Sequence, residues 1–157
     1  MADIFSILKS DHDLHRHMLE TISGTEEAAK RGDLFEAFRV EVTAHAAAEE
    51  QSLYANMLAD PELQDDGRHS VAEHKEIDDL LGELQEIDMA DSAWKSKFDE
   101  MRHRYEHHID EEEEEMFPAA AKEFSKSKAE DLGAKFDRRK PEEREIAEAS
   151  DSGSEKE

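Results

Sequence analysis

Apolar residues in this chain recur every three or four positions, stretch after stretch, and only six glycines and three prolines punctuate its 157 residues. A period near 3.6 places such residues on one face of a helix, whereas a strand would need alternation. Four long stripes are legible. The first, over about 3–22, carries Phe5, Leu8, His12, His15, Leu19 and Ile22 and stops near Gly24. The second opens at Asp33, with Glu36 three residues on as in a capping box, and runs to about Ala59 through Leu34, Phe38, Val42, His45, Glu49 and Leu53. The third covers about 67–88 with Val71, His74, Ile77, Leu81 and Leu84. The fourth starts at Asp91 or Ser92, carries Trp94, Phe98, Met101, Tyr105, His108 and Glu112, and is broken or kinked at Pro118.

Short connections between helices of this length favour antiparallel neighbours. The expected fold is therefore all-α, an antiparallel up-down-up-down four-helix bundle over 1–124. A short helical extension is expected at 125–140, opened by Ser127 with Glu130. The charged segment 141–157, "PEEREIAEASDSGSEKE", reads as a disordered acidic tail. A chain of this length suits one domain with a modest core.

Composition then narrows the chemistry. Forty-three acidic residues against 20 basic ones give a net charge of −23, which repels nucleic acid and anionic membrane and favours cations. No cysteine is present, so disulfides, thiolate metal sites, Cys-ligated iron–sulfur clusters and Cys nucleophiles are excluded together. Any metal must be held by nitrogen and oxygen. The first residues show no basic, apolar secretory pattern, and no segment approaches a membrane span of about 20 apolar residues. A cytoplasmic location is expected.

Every stripe carries a histidine, and two carry His followed four residues later by Glu, a spacing that puts both side chains on one face a turn apart. HxxxE occurs four times, at 45/49, 69/73, 107/111 and 108/112. Phase separates them. His108 continues the Phe98–Met101–Tyr105 line and His107 does not, while His69 lies nearly half a turn from the face of His74. A repeat makes the same choice: "HAAAEEQSLYA" at 45–55 aligns with "HIDEEEEEMFP" at 108–118, and His12 precedes His45 by 33 residues much as His74 precedes His108 by 34. The chain reads as two similar helical hairpins, each bringing His and then His-x-x-x-Glu. Buried carboxylates are costly unless paired or bound to metal. Four histidines and two glutamates suit two metal ions with shared carboxylates, of Fe, Mn or Zn type. His17, His69, His103, His107, Glu111 and Glu113–Glu115 are expected to face solvent.

These residues resemble the hemerythrin-like family of HHE cation-binding domains, over roughly 3–118: one His on each of helices 1 and 3, and HxxxEE on helices 2 and 4 followed by Leu-Tyr or Met-Phe-Pro. The resemblance implies an antiparallel four-helix bundle with a non-haem di-iron centre, Fe2+/Fe3+ with an oxo or hydroxo bridge. Carried over by position, the metal ligands are His12, His45, Glu49, His74, His108 and Glu112. Oxygen-carrying members place a second His four residues after the helix-3 His and a carboxylate five residues after the helix-4 His; here position 78 is Asp and the helix-4 spacing is four. His15, Asp78, Tyr54 and Tyr105 are further candidates for the shell.

The leading functional expectation is a di-iron protein that binds O2, NO or peroxide as a small ligand for sensing, storage or redox protection. An enzyme that consumes peroxide or NO shares the same site. Two other classes stay open: a histidine phosphotransfer module, which needs one exposed histidine and no metal, and a metal-free bundle that serves as an interaction surface.

Overall fold

A computed structural model describes residues 1–149, and among them there is no strand. Helix α1 spans Ile4–Ser23, capped by Asp3, whose carboxylate accepts from Ser6 N–H at 2.9 Å. Helix α2 spans Ala28–Glu49, continues through a π-helical turn at Glu50–Tyr54, and ends in α3, Ala55–Leu58. Helix α4 spans Gln64–Glu86, and α5 spans Ser92–Glu111, capped by Asp91. A second π turn at Glu112–Met116 leads into α6, Phe117–Glu123, and α7 spans Lys126–Ala149. The short links give the antiparallel four-helix bundle: α1 packs on α2 and α5, α4 packs on the same two, and α7 lies along α2 and α1.

The core is layered along the bundle axis. One end holds Leu19, Phe38, Ile77, Leu81, Trp94 and Phe98, with their neighbours. The other holds Ile4, Leu8, Leu53, Met57, Met116, Phe117 and Phe136. Each fully buried Leu or Phe contributes about 1.5–3 kcal/mol by leaving water. Between these apolar layers every long helix of the bundle places a histidine, and α2 and the turn after α5 add a glutamate.

Helix boundaries depart from the sequence reading where tertiary contacts outweigh local signals. Helix α2 starts at Ala28, not at Asp33. The extra turn is held by Arg31, whose guanidinium donates to Met89 O and Thr25 O and stands 5.3 Å over the Trp94 ring. Pro118 does not break the fourth helix. Helical backbone runs on through it, and its missing N–H falls directly after the π turn at Glu112–Met116, where the winding changes.

The largest correction concerns the C-terminal segment. The extension is not a short helix ending near 140, and 141–149 is not disordered: α7 runs through Pro141 to Ala149. Its charges match acids on the bundle. Lys140 Nζ bridges Asp11 and Glu41 at 2.8 and 2.7 Å, Arg144 reaches Glu41 at 2.9 Å, and Arg39 donates to Ala147 O at 3.0 Å. Leu132, Phe136 and Ala147 are buried. Residues 150–157, the remainder of the expected tail, lie outside the described residues.

Candidate metal centre

The structure brings His12, His45, Glu49, His74, His108 and Glu112 together between the two apolar layers, all of them buried, with His74 the most exposed at 8%. Helical phase does this directly. His45–Glu49 and His108–Glu112 are i,i+4 pairs aimed along one face, and His12 and His74 meet them from α1 and α4.

Each carboxylate stands between histidines of different hairpins. Glu49 Oε1 lies 3.6 Å from His45 Nε2 and 3.3 Å from His74 Nε2. Glu112 Oε1 lies 3.3 Å from His12 Nε2 and 3.4 Å from His108 Nε2. The donor atoms form two sets that share Glu49: His12, His45 and Glu49, and Glu49, His74 and His108.

The opposite ring nitrogens are bound more closely. Nδ1–H of His12, His45, His74 and His108 donates to Glu113, Asp11, Glu50 and Glu73 at 2.7, 2.8, 2.8 and 2.7 Å. A carboxylate behind an imidazole fixes its tautomer and turns its other nitrogen toward a metal. The pattern has an internal two-fold logic. The acid just before the first His of each hairpin, Asp11 or Glu73, serves the second His of the same hairpin. The acid just after the inward glutamate, Glu50 or Glu113, serves the first His of the other hairpin.

The donor set fits a metal by the state of its inner atoms. His12 Nε2, His45 Nε2, His108 Nε2, both oxygens of Glu49 and Glu112 Oε1 are buried without a hydrogen-bond partner. Leaving a buried polar atom unpaired costs about 1–3 kcal/mol, so six around one point are hard to explain by packing. Their gaps of 3.3–3.6 Å match donors placed about 2.0–2.2 Å from a common ion, which stand about 3–3.5 Å apart.

Electrostatics agree with a site built for cations. Burial disfavours a charged His12, yet the Glu112 carboxylate 3.3 Å from its Nε2 and the hydrogen bond to Glu113 push it up to about 9. His74 is likewise opposed by burial and pushed up to about 10 by Glu49 and Glu50. Burial would raise Glu49, but the close Glu112, His45 and His74 side chains hold it well below the usual carboxylate range. Burial and the neighbouring Glu49 charge raise Glu112. Without metal, the two carboxylates thus favour protonated His12 and His74.

The further candidates divide. Tyr54 reaches the centre: its hydroxyl donates to Glu112 Oε2 at 2.5 Å and lies 3.3 Å from His74 Nε2. Burial and both glutamates raise its pKa well above the ordinary value, so it stays a proton donor. His15 has both nitrogens engaged elsewhere. Tyr105 O–H donates to its Nδ1 at 2.6 Å, and its Nε2–H donates to Glu41 at 2.8 Å. Burial pushes His15 down to about 4, which keeps it neutral. Asp78 lines a cavity of about 310 Å³ between α2, α4 and α5 that also borders His45, His74, His108 and Tyr105, with Val42, Val71, Ile77 and Leu81 as apolar walls.

His17, His69, His103 and His107 are exposed, as expected. Glu113 is not: its side chain is only 20% exposed and it is tied to His12. The supporting acids Asp11, Glu50, Glu73 and Glu113 went unrecognised in the sequence, although a signal existed. An acid precedes both first histidines, and both copies of HxxxE carry a doubled glutamate.

Comparison with known proteins agrees with this geometry. The family model for the hemerythrin HHE cation-binding domain matches residues 3–120. None of the curated proteins compared matches the chain. Among solved structures, the chain is similar to a hemerythrin HHE cation-binding domain-containing protein from Mycobacterium kansasii. That match has a TM-score of 0.83 and 24% identity, and covers 95% of this chain and 91% of that one. A bundle that converges four histidines and two glutamates on one buried layer, and that matches the family model over most of its length, belongs to the hemerythrin HHE cation-binding family.

Proposed function

We propose that the chain is a non-haem di-iron protein that binds O2 or a related small oxidant, NO or peroxide, for sensing, storage or redox protection in the cytoplasm. The observation that carries the reading is the sharing of Glu49 and Glu112 between histidines of the two hairpins. His12, His45, His74, His108, Glu49 and Glu112 would together hold the two ions. Two irons cycling between Fe2+ and Fe3+ would supply electrons to the small ligand.

The chain's own residues set the conditions. Asp11, Glu50, Glu73 and Glu113 hold the imidazoles in the tautomer that leaves Nε2 facing inward. Tyr54 fixes the outer oxygen of Glu112 and keeps a proton beside it. The apolar walls of the cavity limit water where a small molecule can approach His45, His74 and His108.

That cavity favours a second reading within the same site, an enzyme that consumes peroxide or NO, because about 310 Å³ allows reactant and product to exchange. A phosphotransfer role for His74 is disfavoured, since its ring is buried between Glu49, Glu50 and Tyr54.

The test is anaerobic iron loading followed by exposure to O2, with metal content and the visible spectrum recorded. Two irons per chain and an oxygen-dependent charge-transfer band are expected; zero or one iron would sink the dinuclear reading. Peroxide loss that scales with bound iron would select the enzyme over the carrier.

A further inference from the structure

Phase excludes two of the four HxxxE pairs, 69/73 and 107/111, from the buried centre, and the structure brings these two together on the outside. Helix α4 carries His69 and Glu73, and α5 carries His107 and Glu111. His69 Nε2 lies 2.9 Å from Glu111 Oε1 and 3.2 Å from Glu73 Oε2. His107 Nε2 stands 4.0 Å from the other oxygen of Glu111. Donor atoms of His69, Glu73 and Glu111 all fall within 4.8 Å of one another, the spread that one ion can span.

The cluster is more than a patch of surface acids. It offers imidazole nitrogen from both of two packed helices, and imidazole with carboxylate suits first-row divalent ions. One ligand is also preset by the interior: Glu73 Oε1 accepts from Nδ1 of buried His108 at 2.7 Å, which turns Oε2 outward to His69. The side chains of His69 and His107 are 51% and 68% exposed, so a hydrated ion has access.

We propose that His69, Glu73 and Glu111, with His107 closing from the side, form a surface site for one first-row divalent cation, separate from the buried centre and joined to it through Glu73. The site would collect cations from solution under the attraction of a chain carrying −23. A cation on Glu73 Oε2 would withdraw electron density from the carboxylate that supports His108. Occupancy outside is therefore felt inside.

The proposal does not depend on which metal fills the centre. The full chain, loaded with iron, oxidised and desalted, is titrated with Zn2+ alone by calorimetry, and bound iron and zinc are counted. One zinc per chain beyond the iron is expected. In the double variant His69→Ala/Glu111→Gln, zinc affinity should fall at least tenfold while iron content stays unchanged. His107→Ala should cause a smaller loss. These positions are exposed or half-buried on one face, and circular dichroism checks that each variant folds. Absence of the added zinc, or equal zinc binding in the double variant, overturns the proposal. If the chain takes up no iron, the same titration still reads the outer site by its sensitivity to His69→Ala/Glu111→Gln, so failure of the di-iron reading is told apart from failure of this one.

Discussion

Glu113 Oε2 accepts from His12 Nδ1 at 2.7 Å, although the two residues lie 101 positions apart and on opposite hairpins. Its chain neighbour Glu112 meets the other face of the same ring, at 3.3 Å from Nε2. One imidazole is thus held between consecutive glutamates, one that supports it and one that shares its inward target.

Glu113→Ala should therefore lower iron affinity about 10- to 100-fold without unfolding the bundle, because His12 loses the group that sets its tautomer and ring angle. Glu50→Ala should do the same through His74. Competition against a chelator measures both, and Glu114→Ala, on an exposed position, serves as the silent control.

The pH dependence of the metal-free chain follows from His12, pushed up to about 9, and His74, pushed up to about 10, both above the ordinary 6.5. A raised histidine pKa contributes stability that is fully present below pH 6.5 and is lost as pH rises toward 9–10. Urea unfolding of the metal-free chain should weaken over that window by an amount on the order of several kcal/mol. The iron-loaded chain should lack this slope, since ligated imidazoles carry no second proton.

Tyr105→Phe should leave metal content unchanged and cost about 1–3 kcal/mol, because it strips the donor from buried His15 Nδ1. Metal analysis and denaturant midpoints separate the two effects. Loss of a metal ion in this variant would instead place His15 in the shell.

Lys140→Ala should destabilise the fold by about 1–3 kcal/mol, since Asp11 and Glu41 lose the ammonium between them. Gly133→Leu should also release α7: even a Cβ there would stand 2.9 Å from Ala2 O and from Ile7 Cδ1. Limited proteolysis near residues 124–126 is the direct readout, with faster cleavage expected in both variants.

The histidines and glutamates of the centre were legible in the sequence because i,i+4 spacing and stripe phase are local properties, and the repeat tested them twice. His108 over His107, and Glu112 over its four acidic neighbours, follow from which side of the helix is apolar. The π turns at Glu50–Tyr54 and Glu112–Met116 were not legible. They sit where the turns that carry Glu49 and Glu112 lead into the far apolar layer, and helical periodicity alone does not mark such a change of winding.

What the sequence determined by itself is the set of helical faces and the residues that point inward, because 3.6-residue periodicity acts within one helix. What only the tertiary structure decided is the partnering across helices. Asp11 with His45, Glu73 with His108, Glu50 with His74 and Glu113 with His12 depend on rotation and register between elements. The docking of α7 has the same origin. Lys140 and Arg144 look like plain surface charges until Asp11 and Glu41, about a hundred residues earlier, are placed beside them. Periodicity is a property of one helix, whereas charge complementarity belongs to a pair, and a pair exists only once the chain has folded.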